Sequence, residues 1–448
     1  MSADAVAFYH DLLSRNGLAA DSQEQLDRLT KLRQLYFGER PVCTVLRPRF
    51  LTPGQFRFLQ DRVQTLLPAF AKCYDVALKD ASFRKHFGLL DWEEELLTID
   101  PGYENPSPTA RFDSFFVSEN ELKFTEYNAE TPAGTAYHDE LTEMFYGLPV
   151  VQEFQRRYAL RPLPARPGVL HALLESYRRF RGRRERPNVA ILDWKEVPTY
   201  SEFRLYEAYF RSQALECRII DPRDVEYRGG KLVAGDFRID LIYKRVLISE
   251  LYERGGLNHP VIRALRDRAV CMVNGFRCKI LYKKASFAVL SDEANAHLFT
   301  PQQRLAIAAH IPWTRRVAER KTTFAGTGID LVPHISEHRE RFVLKPNDDY
   351  GGKGIVLGWT VDDSAWRAAV QKALAEPYIV QERVNLPREV FPSFVGGRLQ
   401  LIERMLDTNP FVCFDGVDSC LTRISTEALL NVTAGGGSTV PTFVIEER

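Results

Sequence analysis

Two short segments constrain this chain most: Ala110-Arg-Phe-Asp-Ser-Phe-Phe-Val117 and Leu122-Lys-Phe-Thr-Glu-Tyr-Asn128, separated by Glu119-Asn120. Folded as a hairpin about Glu119-Asn120, facing positions sum to 239, so Asp113 lies opposite Glu126 and Arg111 opposite Asn128. Residues two apart share a strand face, and directly opposed Cβ atoms are about 5 Å apart. One face therefore gathers an arginine, two carboxylates and an amide. The same alternation places Phe115, Val117, Leu122 and Phe124 beside them, which predicts a partly buried site. Carboxylate and amide oxygens suit a hard divalent cation, and a neighbouring arginine suits a phosphate.

A chain of 448 residues exceeds one compact domain, and 45% hydrophobic residues are enough for sizeable cores. The formal net charge of +1 argues against a nucleic-acid partner. The basic run Tyr177–Arg186 reads as a solvated helix end and loop. Seven cysteines, with no CxxC pair, read as reduced thiols in a reducing compartment and not as a zinc site. No apolar stretch approaches the roughly 20 residues of a membrane span, and the N-terminus lacks the regions of a signal peptide. The expectation is a soluble cytoplasmic protein with no membrane partner.

Residues 1–95 read as a helical N-terminal region. Within it Thr52-Pro53-Gly54-Gln55 has a helix start's cap, first-position proline and third-position glutamine, and the helix is expected to run to about Tyr74. The hairpin belongs to a stretch over 96–165, closed by the proline-rich Arg161–Gly168 as a boundary. Residues 166–284 read as an open α/β module with strands at Asn188–Leu192, Glu216–Ile220 and Ile239–Tyr243, but no GxGxxG follows the first strand. Residues 285–448 are again α/β.

In this last part Lys345-Pro-Asn-Asp-Asp-Tyr-Gly-Gly-Lys-Gly-Ile355 lies between two apolar strands. Glycines such as Gly351 and Gly352 let backbone N–H groups approach phosphate oxygens, and Lys345 and Lys353 are placed to reach the same anion. No Walker motif is present. Further on, Tyr378-Ile-Val-Gln381 leads into Glu382 and Val384, with Glu389 seven residues beyond Glu382 and Arg404 ending another strand. A strand of this kind presents its backbone to a flat base, and a carboxylate accepts from ribose hydroxyls.

Strand, lysine, glycine loop and a strand ending in Gln381-Glu382 together resemble the nucleotide site of ATP-grasp enzymes. The hairpin resembles their metal hairpin, with Asp113, Glu126 thirteen later and Asn128 two beyond. Glu382 and Glu389 resemble their base-hinge and ribose carboxylates. Lys283-Lys284-Ala285 resembles the segment bearing the first ATP lysine, with Lys284 preferred and Lys283 close behind. In the common family the hairpin follows the nucleotide segments; here it precedes them. The chain thus resembles a circularly permuted ATP-grasp protein, similar to the C–N ligase half of glutathionylspermidine synthase. The likeness covers most of 105–448; the insert-like Asn347–Tyr350 departs from it.

The resemblance implies an α+β / α/β circularly permuted ATP-grasp fold, with 96–165 as its metal-binding part, 285–448 as its nucleotide-binding part and the 166–284 module, pre-ATP-grasp-like, lending a substrate wall. It implies ATP and Mg²⁺ as cofactors and an ADP-forming carboxylate–amine ligase that works through an acyl phosphate. Asp113, Glu126 and Asn128 would hold the metal. Lys284 and Lys345 would neutralise phosphate, Lys353 would hold the loop over the γ-phosphate, Arg404 would lie beside the nucleotide, and Arg111 would stabilise the transferring phosphoryl group or the tetrahedral oxyanion. The partners would be small-molecule carboxylates and amines, peptide- or amino-acid-like, with room for a homodimer. A phosphotransferase and a silent nucleotide-binding scaffold are the alternatives. Loop 346–354 is expected to be mobile without nucleotide. Thr131, Tyr137, His138, Lys244, Arg245, Arg423 and the tail Ala434–Thr439 are weaker substrate-side candidates.

Overall fold

The computed structural model describes residues 2–15, 17–349, 351–414, 416–427 and 437–448. The hairpin forms from strands Thr109–Ser118 and Glu121–Asn128, with Arg111 opposite Asn128 and Asp113 opposite Glu126. Immediately beyond Asp113 the register slips by one. Ser114 faces Phe124, and Thr125 is the extra residue of a β-bulge. The bulge overturns the expected apolar neighbours. It turns Leu122 and Phe124 to the opposite face, where they join Phe112 and Phe116 in the core. Val117 is exposed, and Phe115 alone of the four lines the same cavity as the polar quartet. A one-residue slip exchanges the faces of everything beyond it. Strict alternation therefore misreads the second strand past Thr125.

Among the described residues the hairpin belongs to an antiparallel seven-stranded sheet. Its strands run in the spatial order Arg388–Val395, Arg398–Leu406, Gly416–Ser425, Asn409–Cys413, Thr109–Ser118 and Glu121–Asn128, with Ser438–Val440 paired to Gly416–Ser425. The junction is Arg111 opposite Phe411, which brings the end of the chain beside the hairpin. A second, four-stranded antiparallel sheet has the order Thr314–Arg316, Tyr378–Glu382, Phe342–Pro346 and Val356–Leu357.

One long helix supports both the hairpin and the lysine segment. Pro53–Lys79 opens on Thr52, whose hydroxyl accepts from the Gln55 backbone while the Gln55 side chain accepts from the Thr52 backbone. It runs a turn past the expected end near Tyr74 because buried Phe56, Leu59, Val63, Leu66, Phe70, Cys73 and Ala77 keep one apolar stripe. Phe70 packs its ring against Phe112 and Tyr127 at 5.4 and 5.0 Å, and against Phe287 of the helix Ala285–Ser291 at 5.4 Å.

The α/β module has four parallel strands in the order Cys271–Val273, Leu241–Lys244, Val189–Leu192 and Cys217–Ile220. The expected single strand Ile239–Tyr243 divides at Asp240: Phe237–Ile239 joins a small antiparallel meander, and only Leu241–Lys244 enters the parallel sheet. The proline-rich stretch begins in a strand, Tyr158–Pro162, which pairs with Thr442–Glu447, whose other neighbour is Arg49–Leu51. Among the described residues no helix is long and apolar enough to cross a membrane.

The bulge makes a local expectation. Thr125→Ala keeps the residue count and is expected to cost under about 1 kcal/mol, whereas an alanine inserted between Asp113 and Ser114 gives Thr125 a partner, turns Leu122 and Phe124 out of the core and is expected to cost more than about 4 kcal/mol. Urea denaturation of the two variants checks this; equal losses would mean that the bulge does not set the facing of the strand.

Candidate functional site

The two sheets face each other across one cavity. Arg111, Asp113, Phe115, Thr125, Glu126 and Asn128 line one side of it. Val343, Lys345, Gly351, Gly352, Gln381, Glu382 and Val384 line the other, and Asp407 and Arg423 complete the floor. Residues distant in the chain thus converge: Lys345 Nζ donates to the Thr125 carbonyl at 3.3 Å, and Lys284 Nζ lies 3.1 Å from Glu126 Oε1.

Asp113 is held from two directions. Arg111 donates through Nε to Oδ1 at 2.6 Å and through Nη2 to Oδ2 at 3.0 Å, while Arg423 Nη2 donates to Oδ2 at 2.7 Å. Burial pushes this carboxyl up, but the two guanidinium charges outweigh it and hold it near about 2. Arg111 also donates to the Ala133 carbonyl at 2.8 Å, which fixes its direction. The buried side-chain nitrogen of Asn128 has no hydrogen-bond partner, so no contact commits that amide to one orientation. Among the described residues no group of three His, Cys, Asp or Glu side chains is placed to hold a metal. A cation here would rest on Asp113, Glu126 and the Asn128 oxygen, an all-oxygen set suited to Mg²⁺.

The two neighbouring lysines separate cleanly. Lys284 reaches Glu126 and donates to the Asp349 carbonyl at 2.7 Å. Lys283 points away, into a buried ion network: its Nζ is 2.8 Å from Glu93 Oε2 and 2.5 Å from Asp348 Oδ2. Lys279 joins the network at 2.8 Å from Asp348 and 3.2 Å from Glu130. Lys279 went unread in the sequence, although its spacing of four from Lys283 is the spacing that brings two side chains together on a helical face.

The insert-like segment at the start of the glycine loop is an anchor. Asn347 accepts from the backbones of Lys284 and Ala285 at 2.9 and 2.8 Å and donates to the Phe87 carbonyl at 2.8 Å. Asp348 is bound by the two lysines. The expectation of a loop hinging over all of 346–354 is therefore narrowed to the residues after Asp349; Tyr350 lies outside the described residues. Gly354 has φ +67°, and a Cβ there would lie 2.7 Å from Pro346 Cγ, so the return of the loop requires glycine. Lys353 is exposed beside the cavity-lining Gly351 and Gly352.

Glu389 and Arg404 are not brought to the cavity. They face each other across strands Arg388–Val395 and Arg398–Leu406. Their neighbours Arg388 and Met405 line a cavity that adjoins the first through Trp359, Val384 and Leu386. Alternation puts Glu389 and Arg404 on the other face, with core residue Phe391. There Glu389 pairs with Arg49 and, at 2.7 Å, with Arg47, and Arg404 donates to Ser393 at 3.1 Å. The wider candidates divide similarly. Lys244 is buried 3.4 Å from Glu130, Arg245 donates to the Pro132 carbonyl at 2.6 Å, Tyr137 donates to Tyr36 and His138 contacts Leu163. Thr131 is half-buried in the hairpin's exit. Arg423 alone of this group lines the cavity. Of the tail, Ala434–Gly436 lie outside the described residues, and Ser438 and Thr439 belong to a strand. Trp359 and Asp407 are cavity residues that sequence reading missed; a lone tryptophan and a post-strand aspartate carry no pattern.

No family model matches the chain. It is 24% identical over 332 residues to a Frankia casuarinae protein whose name assigns it provisionally as glutamate–cysteine ligase 2-2, a match taking in 70% of this chain and 36% of that protein. It is 22% identical over 334 residues to an uncharacterized protein of Mycobacterium leprae, 71% of this chain against 55% of that one. The chain thus spans 36–55% of the length of these relatives. A glutathione synthetase-like effector of Globodera pallida, solved in its apo form, matches at 11% identity with a TM-score of 0.57, over 96% of this chain and 98% of that one. The fold is that of a glutathione synthetase-like protein.

Lys345 gives the site a measurable pH response. Its Nζ donates to Gln381 Oε1 at 2.7 Å inside the cavity wall. Burial lowers its ammonium from 10.5 to about 8, with Lys284 adding to the fall and Glu126 and Asp113 opposing it. The unfolded lysine thus holds its proton more tightly, so this group's burial opposes folding below pH 8 and ceases to do so as pH rises towards 10.5. A bound polyphosphate favours the charged form. Affinity for a nonhydrolysable ATP analogue is therefore expected to weaken as pH rises above 8, with proton uptake on binding, and Lys345→Met to remove that slope. Calorimetric titration in buffers of different ionisation enthalpy checks it; a flat profile in the unaltered protein would reject Lys345 as a phosphate contact.

Proposed function

We propose that this chain is an ADP-forming, ATP- and Mg²⁺-dependent carboxylate–amine ligase of the circularly permuted ATP-grasp type, acting on small peptide or amino-acid-like substrates. The observation that carries the reading is the convergence of Arg111, Asp113, Glu126 and Asn128 with Lys345, Gly351, Gly352 and the Gln381–Val384 strand on one cavity. The likeness to a protein named for glutamate–cysteine ligation supports the substrate class.

In this reading the nucleobase lies against Val343, Ile355, Leu357, Trp359 and Leu386, the apolar wall of the cavity, with the Glu382–Val384 backbone along its edge. The phosphates run past Lys345 and Lys284 towards the hairpin. Mg²⁺, when bound, supplies Lewis-acid neutralisation of phosphate charge. Asp113, Glu126 and Asn128 would hold it. A substrate carboxylate oxygen attacks the γ-phosphorus, the bridging P–O bond to ADP breaks, and an acyl phosphate remains. The amine nitrogen then attacks the acyl carbon. A C–N bond forms, the C–O bond breaks, and inorganic phosphate and a proton leave. Arg111, aimed by Asp113 and the Ala133 carbonyl, stabilises charge on the oxygens of the group in transit. Positioning supplies most of the remaining acceleration.

Release of ADP and phosphate is measured over pooled carboxylates with and without pooled amines, and the ligase reading expects release only with both. A phosphorylated acceptor without free phosphate would favour a phosphotransferase, and binding without turnover a scaffold. With a substrate pair in hand, Asp113→Asn and Glu126→Gln are each expected to lower kcat about 100-fold or more at limiting Mg²⁺. Retention of full activity by both would remove the metal assignment.

A further inference from the structure

Both oxygens of Asp113 are taken by guanidinium donors, although the proposed function, on which this inference rests, makes Asp113 a metal ligand. Arg423 Nη2 stands 2.7 Å from Oδ2, the position a divalent cation would have to claim. Arg111 Nη2 also donates to that oxygen, at 3.0 Å, but Arg111 is fixed by the Ala133 carbonyl, so Arg423 is the group whose place a cation can take, and a cation and Arg423 cannot both stand there without strong repulsion. Arg423 must therefore move off Asp113 when the cation arrives, and a buried guanidinium with no partner is costly.

The far side of Arg423 supplies that partner. Asp407 accepts from Arg423 Nε at 2.7 Å, lies 2.6 Å from Nη2 and accepts the Arg423 backbone N–H at 2.8 Å. Its side chain is 2% exposed and forms part of the cavity floor. Asp407 directly follows strand Arg398–Leu406, which pairs with the strand that carries Arg423, and the Asp407 N–H donates to the Arg423 carbonyl at 3.0 Å, so their spacing is set by backbone. Arg423 thus bridges one carboxylate on the hairpin and one in the adjacent part of the same sheet.

We propose that Arg423 is the resting-state counter-cation of Asp113, and that Asp407 is a positioning residue that retains the guanidinium when a divalent cation takes its place. Asp407 touches no reacting atom; it sets how readily Asp113 is released to the metal. The arrangement also keeps the site neutralised before loading and leaves Arg423 beside the phosphoryl group after it.

The test reads metal binding without turnover. Mn²⁺ is titrated by electron paramagnetic resonance into the full chain with a nonhydrolysable ATP analogue. Asp407→Asn leaves Arg423 with Asp113 alone and is expected to weaken Mn²⁺ binding about ten-fold. The charge-matched double variant Asp407→Asn/Arg423→Met keeps Arg111 on Asp113 but loses the Arg423 competitor, and is expected to bind Mn²⁺ at least about five-fold tighter than the unaltered chain. A purely long-range effect of charge would return the double variant to the unaltered affinity and overturn the inference, as would an Asp407→Asn affinity within two-fold of the original. If Asp407→Asn fails to fold, as judged by near-ultraviolet circular dichroism, the double variant decides alone. If that also fails to fold, Arg423→Lys decides, since its shorter reach to Asp113 must tighten Mn²⁺ binding. An unaltered chain that binds the analogue but no Mn²⁺ overturns the metal reading itself, and this inference with it.

Discussion

A buried network of opposite charges ties the molecule together beneath its cavity. Lys279 and Lys283 meet Glu93 from the helix Asp91–Leu97, Glu130 from the exit of the hairpin and Asp348 from the start of the glycine loop, and Glu130 also meets Lys244 at the end of a parallel strand. Five separated parts of the chain are thereby fixed at one point. Charges this deep are tolerable only when paired, because the loss of one partner leaves another desolvated and alone. Burial lowers the readiness of Lys279 to hold its proton, yet Glu130, Asp348 and Glu93 more than reverse this and raise its pKa. Lys279 stays charged, and its ion pairs hold together the elements that carry them.

The consequence reaches the cavity through short covalent distances. Asp348 is three residues from Lys345 and three from Gly351, while Lys283 adjoins Lys284 and Glu130 is two from Asn128. Three of the buried ions, Asp348, Lys283 and Glu130, thus sit close in the chain to residues of the site. The lower tier pairs each buried charge with an opposite one, while the upper tier keeps charged groups facing open space. The proposed function would use such a division: ligand-facing charges are only partly compensated, while the backbone beneath them is held.

Much of the cavity was readable in the chain because its decisive elements are local. The alternation of Arg111 and Asp113 against Glu126 and Asn128 needs only a two-residue turn, and the glycines before Ile355 declare a backbone that packs closely. The same local logic failed at Thr125, where one added residue exchanged the faces of Leu122 and Phe124. It failed again at Glu389, whose spacing from Glu382 looked like a ribose contact. Spacing counts residues along the chain, but the cavity selects one face of a sheet, and Arg388 rather than Glu389 is on that side.

The sequence by itself determined which residue pairs meet across the hairpin, where the long helix begins, and that a glycine-rich loop lies between two strands. These follow from period-two alternation, capping chemistry and glycine, all of which act over a few residues. Only the tertiary structure decided that Lys284 and not Lys283 faces the hairpin, that Asn347 and Asp348 anchor the loop, and that Asp407 stands behind Arg423. Each of those outcomes depends on which distant group is available to neutralise a buried charge. That is a property of the folded arrangement, and no local pattern encodes it.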